Sequence, residues 1–207
     1  MQKSVAEGLL SIKAIKLQPN NPFTWASGWK SPIYCDNRKT LSFPAIRTLV
    51  RDAFVKTIKE KYPDVEVIAG VATGAIAQGA LVADALGLPF VYVRSSAKDH
   101  GLGNLIEGDL KSNAKVVVIE DLISTGGSSL KAVEALRAAE AQVLGMVAIF
   151  TYGFATAENA FTEKQVELTT LSNYNAMIDV AVETKYVSEN DVETLKLWRQ
   201  NPSEWGK

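Results

Sequence analysis

After Tyr62 the chain alternates between two periodicities, and this alternation limits its possible folds more than any other feature. "VEVIAG" (Val65–Gly70), "PFVYVR" (Pro89–Arg94), "KVVVIED" (Lys115–Asp121) and "QVLGMVAIF" (Gln142–Phe150) are short apolar runs rich in β-branched residues. Between most of them lie stretches of helical character, Gly74–Gly87 and Ser128–Ala141. Runs that are apolar on both faces need cover on both sides, and helical crossovers supply it. The pattern predicts an α/β fold: an open, mostly parallel sheet with flanking helices and right-handed connections. The core is expected over about 63–155. One interval breaks the rhythm. Between Arg94 and Lys115 a long glycine-bearing segment, "RSSAKDHGLGNLIEGDLK", replaces the helix. A long unstructured loop in a compact domain reads as a lid.

The flanking segments read as a small cap on this core, from residues 1–40 and the C-terminal part, within a single domain over 1–207. Val5, Leu9, Ile12 and Ile15 recur at helical spacing, while Glu7 and Lys13 interrupt any continuous apolar stretch. That describes an amphipathic helix and argues against a signal peptide. Ser42–Tyr62 reads as a helix with Pro44 in its first turn, and two more helices are expected near the C-terminus. Ser188 and Asp191 have the spacing of a capping pair for the last one. A net charge of −1 offers no field to hold a nucleic-acid backbone. No apolar run is long enough to span a bilayer. The one cysteine, Cys35, suits a reducing compartment and is read as packing, so a cytoplasmic location is expected.

The chemistry concentrates at "KVVVIEDLISTGGSSL" (Lys115–Leu130), where a buried strand ends in two adjacent acids, Glu120 and Asp121. It then enters a loop of hydroxyls and glycines. In open α/β sheets, ligands bind at the carboxyl ends of strands. Backbone N–H groups from Ser124 to Ser129, followed by a helix N-terminus, make a phosphate cradle. The lysine and spacing of a P-loop are missing, and no G-x-G-x-x-G follows a strand. Acids beside a phosphate repel it unless something between them wants acceptors, as ribose hydroxyls or a hydrated divalent metal do. The alternative is that the two acids only favour entry into the helix.

"VVVIEDLISTGGSS" resembles the binding motif of type I phosphoribosyltransferases, which hold 5-phosphoribosyl 1-pyrophosphate (PRPP). The resemblance implies that Glu120 and Asp121 meet the ribose hydroxyls. It also implies that Leu122, Ile123, Ser124, Thr125, Gly126, Gly127 and Ser128 wrap the 5-phosphate. "FTWASGWKSPIYCDNR" (Phe23–Arg38) resembles the N-terminal signature of the orotate-using members, where that segment lies over the base. "VRSSAKDHGLGNLIEG" (Val93–Gly108) resembles their catalytic loop, with Arg94, Lys98 and His100 at the matching positions for PRPP. The implied reaction transfers the phosphoribosyl group from PRPP to orotate, giving orotidine 5′-monophosphate and pyrophosphate in de novo pyrimidine (UMP) biosynthesis. Catalytic roles fall to Lys98, His100 and Asp121, and Ser124 would contact orotate. Magnesium would enter with PRPP, with no protein-only metal site. The family's loop reaches into the neighbouring subunit, which implies a homodimer with shared sites. A closing loop with cations and with Gly101 and Gly103 suits a reaction whose oxocarbenium-like sugar must be kept from water. The rival readings are a purine or xanthine phosphoribosyltransferase and a non-catalytic PRPP sensor.

Some positions depart from the family pattern. Ala26, Gly74 and Ser95 stand where members often carry lysine, and an arginine that helps hold the base is replaced within "FTYGF" after Phe150. The orotate carboxylate then lacks an evident partner, and backbone N–H groups near Ser27–Gly28 are one candidate. Lys30 and Arg38 could add positive potential at the mouth or be ordinary surface charge.

Overall fold

The computed structural model describes residues 1–25, 27–96 and 105–206. Along the chain, α1 (Gln2–Ser11) precedes four short strands: β1 (Ile15–Leu17), β2 (Phe23–Thr24), β3 (Lys30–Ser31) and β4 (Ile33–Cys35). β1 pairs with β4 and β2 with β3, both antiparallel. A 3-10 helix (Asn37–Ser42) leads into α2 (Pro44–Lys61), whose first position is the proline. The expected single helix from Ser42 therefore divides at Phe43, where an extended backbone admits the proline ring.

The core elements follow as β5 (Val67–Val71), α3 (Ile76–Leu86), β6 (Phe90–Val93), β7 (Ile106–Glu107), β8 (Lys115–Ile123), α4 (Gly127–Ala138) and β9 (Gln142–Thr151). α5 (Ala155–Glu163), β10 (Leu168–Asn173), α6 (Tyr174–Glu183) and α7 (Glu189–Gln200) complete the chain. The six-stranded sheet has the order β10-β9-β8-β5-β6-β7, parallel throughout except for β7. The alternation of β8 shows why both faces are apolar. Val117 and Ile119 belong to the core cluster that takes in α1, α2, α3, α6 and α7, while Val116 and Val118 belong to the one that takes in α4 and α5.

The sheet thus matches the predicted class and all four predicted strands. It also takes in β10, whose sequence "LTTLSN" alternates with threonine and serine as an edge strand does and is too polar to read as buried. Three helices follow Gly153 where two were expected. The last begins with the anticipated capping box between Ser188 and Asp191. No helix among the described residues is long and apolar enough to cross a membrane.

Candidate active site

β8 is the central carrier of the site. It lies between β5 and β9 and delivers Glu120 and Asp121 to the sheet's carboxyl edge. Glu120 is buried, with 4% of its surface exposed. It accepts a hydrogen bond from Ser129 Oγ at 2.7 Å and another from the Asp121 backbone N–H at 2.8 Å. Burial, reinforced by the neighbouring Asp121 charge, pushes its carboxyl up to about 8. Asp121 is also raised, chiefly by burial, while its contact with Glu120 and the field of Arg38 pull the other way. Its backbone carbonyl accepts from Asn37 Nδ2 at 2.6 Å, which ties the cap's 3-10 helix to the strand end.

Glu120 gives a pH prediction. Its carboxyl sits near 4.5 when unperturbed and about 8 in the fold, so the folded protein holds a proton across that window that the unfolded chain has lost. Its contribution to stability is therefore complete below about 4.5 and declines as pH rises through about 8. Glu120→Gln keeps the shape and an acceptor for Ser129. Its melting temperature, measured from pH 5 to 8.5, should gain on the wild type as pH rises. The matching gain in unfolding free energy should be a few kcal/mol, at about 1.4 kcal/mol per pKa unit. Parallel curves would show that Glu120 is ionised throughout.

The loop after β8 leaves its donors free. Thr125, Gly127 and Ser128 are exposed, Ser124 is half-buried, and no side chain caps the first turn of α4. The capping residue is Gly126, with φ +82°, and a Cβ there would stand 2.8 Å from the Phe161 ring of α5. An uncapped helix start with orphan N–H groups, in front of a loop with little side chain, is suited to bind an anion. Leu122 is half-buried and the Ile123 side chain lies wholly within the core, so Ile123 can offer a ligand only its backbone.

Arg94, at the end of β6, lines a groove of about 650 Å³ together with Ala72, Gly127, Ser128 and Lys131. Its Nη1 lies 3.5 Å from the Glu107 carboxylate without a well-directed hydrogen bond. The fold thus brings the predicted Arg94 to the phosphate loop. It adds Lys131, one turn into α4, which the motif reading passed over because it follows the quoted loop. Lys98 and His100, and with them Gly101 and Gly103, lie outside the described residues, as does Ala26.

Gly74 has a structural reason to lack a side chain. A Cβ there would collide with the carboxyl carbon and both oxygens of Asp121, so the turn after β5 and the acid occupy one space. The Gly28 N–H, one candidate for the orotate carboxylate, is already committed to the Trp25 carbonyl at 2.8 Å and closes a turn. Arg38 engages Asp36 at 2.6 and 3.0 Å, and Lys30 Nζ donates to Thr24 Oγ1 at 2.9 Å. Cys35 lies on the cap, donates to Asn37 Oδ1 at 3.3 Å, and has its thiol pushed well up by burial, so it remains a packed, unreactive thiol.

A second, smaller cleft of about 250 Å³ opens between cap and core, lined by Thr24, Trp25, Tyr34, Cys35, Leu122, Ser124 and Tyr152. Ser124 thus joins the phosphate loop to a compartment walled by aromatic rings. Sequence reasoning could not find this cleft, because its walls come from segments far apart in the chain, Thr24–Cys35 of the cap and Leu122, Ser124 and Tyr152 of the core. Arg199 of α7 reaches the same turn after β9, donating to the Gly153 carbonyl at 3.3 Å and lying over the Tyr174 ring. It lines a different cavity of about 510 Å³ on α6 and α7, which contains neither acid.

A family profile described as "Phosphoribosyl transferase domain" matches residues 39–185. A protein of Porphyromonas gingivalis named orotate phosphoribosyltransferase is 65% identical over 204 residues, which are 99% of this chain and 97% of that one. One of the same name from Listeria monocytogenes is 56% identical over 207 residues, which are 100% of this chain and 99% of that one. The solved structure of orotate phosphoribosyltransferase from Aeropyrum pernix superposes with a TM-score of 0.77 at 25% identity, covering 89% of this chain and 99% of that one. With its acid pair, phosphate loop and aromatic cleft on one sheet edge, this chain belongs to the phosphoribosyltransferase family, among the orotate phosphoribosyltransferases.

Proposed function

We propose that the chain transfers the 5-phosphoribosyl group of PRPP to orotate, releasing pyrophosphate and forming orotidine 5′-monophosphate. The observation that carries this reading is the uncapped loop Ser124–Ser128, which sits between the acid pair of buried Glu120 and half-buried Asp121 on one side and a small aromatic-walled cleft on the other. In this reading the loop's N–H groups bind the 5-phosphate. Glu120 and Asp121 accept the ribose hydroxyls and fix the anomeric carbon toward the cleft. Ser124 borders the base. Arg94, Lys98 and His100 face the departing pyrophosphate, with His100 donating a proton or hydrogen bond to it. Asp121 assists proton movement at the sugar or base.

Magnesium is proposed as the cofactor. Two adjacent carboxylates, both held above their ordinary range by burial, suit a cation that arrives largely coordinated by substrate oxygens. Among the described residues, no group of three or more His, Cys, Asp or Glu could hold a metal without such help. When bound, the ion neutralises negative charge on the pyrophosphate. Cys35 is a free thiol, which accords with a cytoplasmic location.

The test is loss of orotate absorbance with PRPP, with and without magnesium, beside assays offering uracil, hypoxanthine and xanthine. Magnesium-dependent consumption of orotate alone is expected. Turnover of a purine would replace this reading with the purine one, and PRPP binding without any turnover would favour a sensor. The shared-site homodimer is tested by mixing. Lys98→Ala and the double variant Glu120→Ala/Asp121→Ala should each be inactive, while the mixture should recover up to about a quarter of wild-type activity through hybrid dimers. No recovery after verified subunit exchange would place the whole site within one chain.

A further inference from the structure

Tyr152 lies in the segment after β9 where the family pattern lacks its arginine, and its surroundings give it a function of its own. The residue is 2% exposed and its ring is packed on every side. Trp25 lies at 5.2 Å, Phe154 at 5.4 Å, Phe150 at 5.7 Å and Trp198 at 5.8 Å between ring centroids. Its backbone N–H bonds the Ile123 carbonyl at 3.2 Å, which fastens it to the end of β8 beside Ser124. Its hydroxyl makes no hydrogen bond among the described residues and is not one of the buried atoms left without a partner, so it keeps access to the cleft between cap and core that Tyr152 lines. A donor that meets only the water of a cleft is free to turn to a ligand that displaces that water.

The cleft also defines that partner. Its other lining residues offer hydroxyls from Thr24, Tyr34 and Ser124, apolar or aromatic walls and a buried thiol, and no cation among the described residues. Among the described residues, the only cation hydrogen-bonded to a lining side chain is Lys30, which reaches Thr24 from the exposed side. A carboxylate entering such a space loses water and needs directed donors in return. Burial holds the Tyr152 phenol well above its ordinary pKa, so it remains a donor across the neutral range.

We propose that Tyr152 is a specificity-determining residue: its hydroxyl donates a hydrogen bond to the carboxylate of the orotate ring and, with Ser124, replaces the arginine that the turn after β9 lacks. This rests on the reading of orotate as substrate. A neutral donor in an aromatic-walled cleft discriminates by leaving itself unpaired when the wrong base displaces the water there.

The test is Tyr152→Phe, which keeps the ring and all its packing. The KM for orotate should rise about 10- to 100-fold, as expected for a lost hydrogen bond to a charged group. The KM for PRPP and the melting temperature should stay within error. Competitive inhibition by uracil, which shares the ring but has no carboxylate, should change less than about twofold. An unchanged KM for orotate overturns the proposal and leaves the orotate reading intact. Equal weakening of orotate and uracil also overturns it, because the phenol would then serve the ring and not the carboxylate. Failure of the wild-type protein to consume orotate overturns both.

Discussion

Asp121→Asn is expected to lower kcat/KM with orotate and PRPP by about 10²- to 10⁴-fold, the range for removing a positioned acid–base group. The site is built around this side chain. Its strand is central in the sheet, its carbonyl is held by Asn37, and the turn at Gly74 is cleared of any side chain where its carboxyl lies. Arg38, whose field favours the charged form, is itself engaged by Asp36 and reaches Asp121 only through space. Asparagine fills the same volume and removes a charge that burial disfavours, so thermal stability should hold or rise slightly. Glu120→Gln should cost activity far less, roughly tenfold, because the amide keeps an oxygen to accept a ribose hydroxyl and the folded Glu120 carboxyl, pushed up to about 8, is itself largely uncharged at neutral pH. Steady-state kinetics of the two variants therefore separate the acids. If the losses were reversed, Glu120 would be the group that works on substrate and Asp121 its support.

Different parts of the molecule were legible in the sequence for different reasons. The parallel strands could be read because burial on both faces leaves continuous apolar runs such as Val116–Ile119, and the phosphate loop because glycines and hydroxyls follow such a run directly. β10 escaped because an edge strand tolerates polar residues, and the cap's strands because two or three residues carry no periodicity. The aromatic cleft was hidden for a deeper reason. Trp25, Tyr34, Ser124 and Tyr152 belong to separate segments, and only docking of the cap through contacts such as Asn37 to Asp121 assembles them. The family pattern showed that an arginine was missing near Phe150. The sequence could not show that Tyr152 of that segment would be buried with its hydroxyl open to the cleft.

The two glycines of the phosphate loop should fail in different ways, and the contrast tests whether the loop acts through its backbone. Gly126 has φ +82°, and a methyl group there would lie 2.8 Å from Phe161 Cε2. The left-handed backbone costs a non-glycine residue about 1–2 kcal/mol. Crowding a packed ring adds about 1–3 kcal/mol. Gly126→Ala should therefore lose roughly 2–5 kcal/mol in denaturant unfolding. Because the α4 start must shift to relieve the clash, the KM for PRPP should also rise about 100-fold, the usual cost of an ångström-scale displacement at a site. Gly127 is different: its φ is ordinary, it is exposed, and a Cβ there meets nothing within 4 Å in the ligand-free protein. Gly127→Ala should leave stability unchanged or improved, since alanine suits a helix better than glycine. It should still weaken PRPP binding, because the methyl occupies the space from which the phosphate reaches the N–H groups. Adding Phe161→Leu to Gly126→Ala should recover the crowding part of the stability loss but not the backbone part. If Gly127→Ala bound PRPP as well as the wild type, the phosphate would have to sit away from the start of α4, and the assignment of the loop would fall with it.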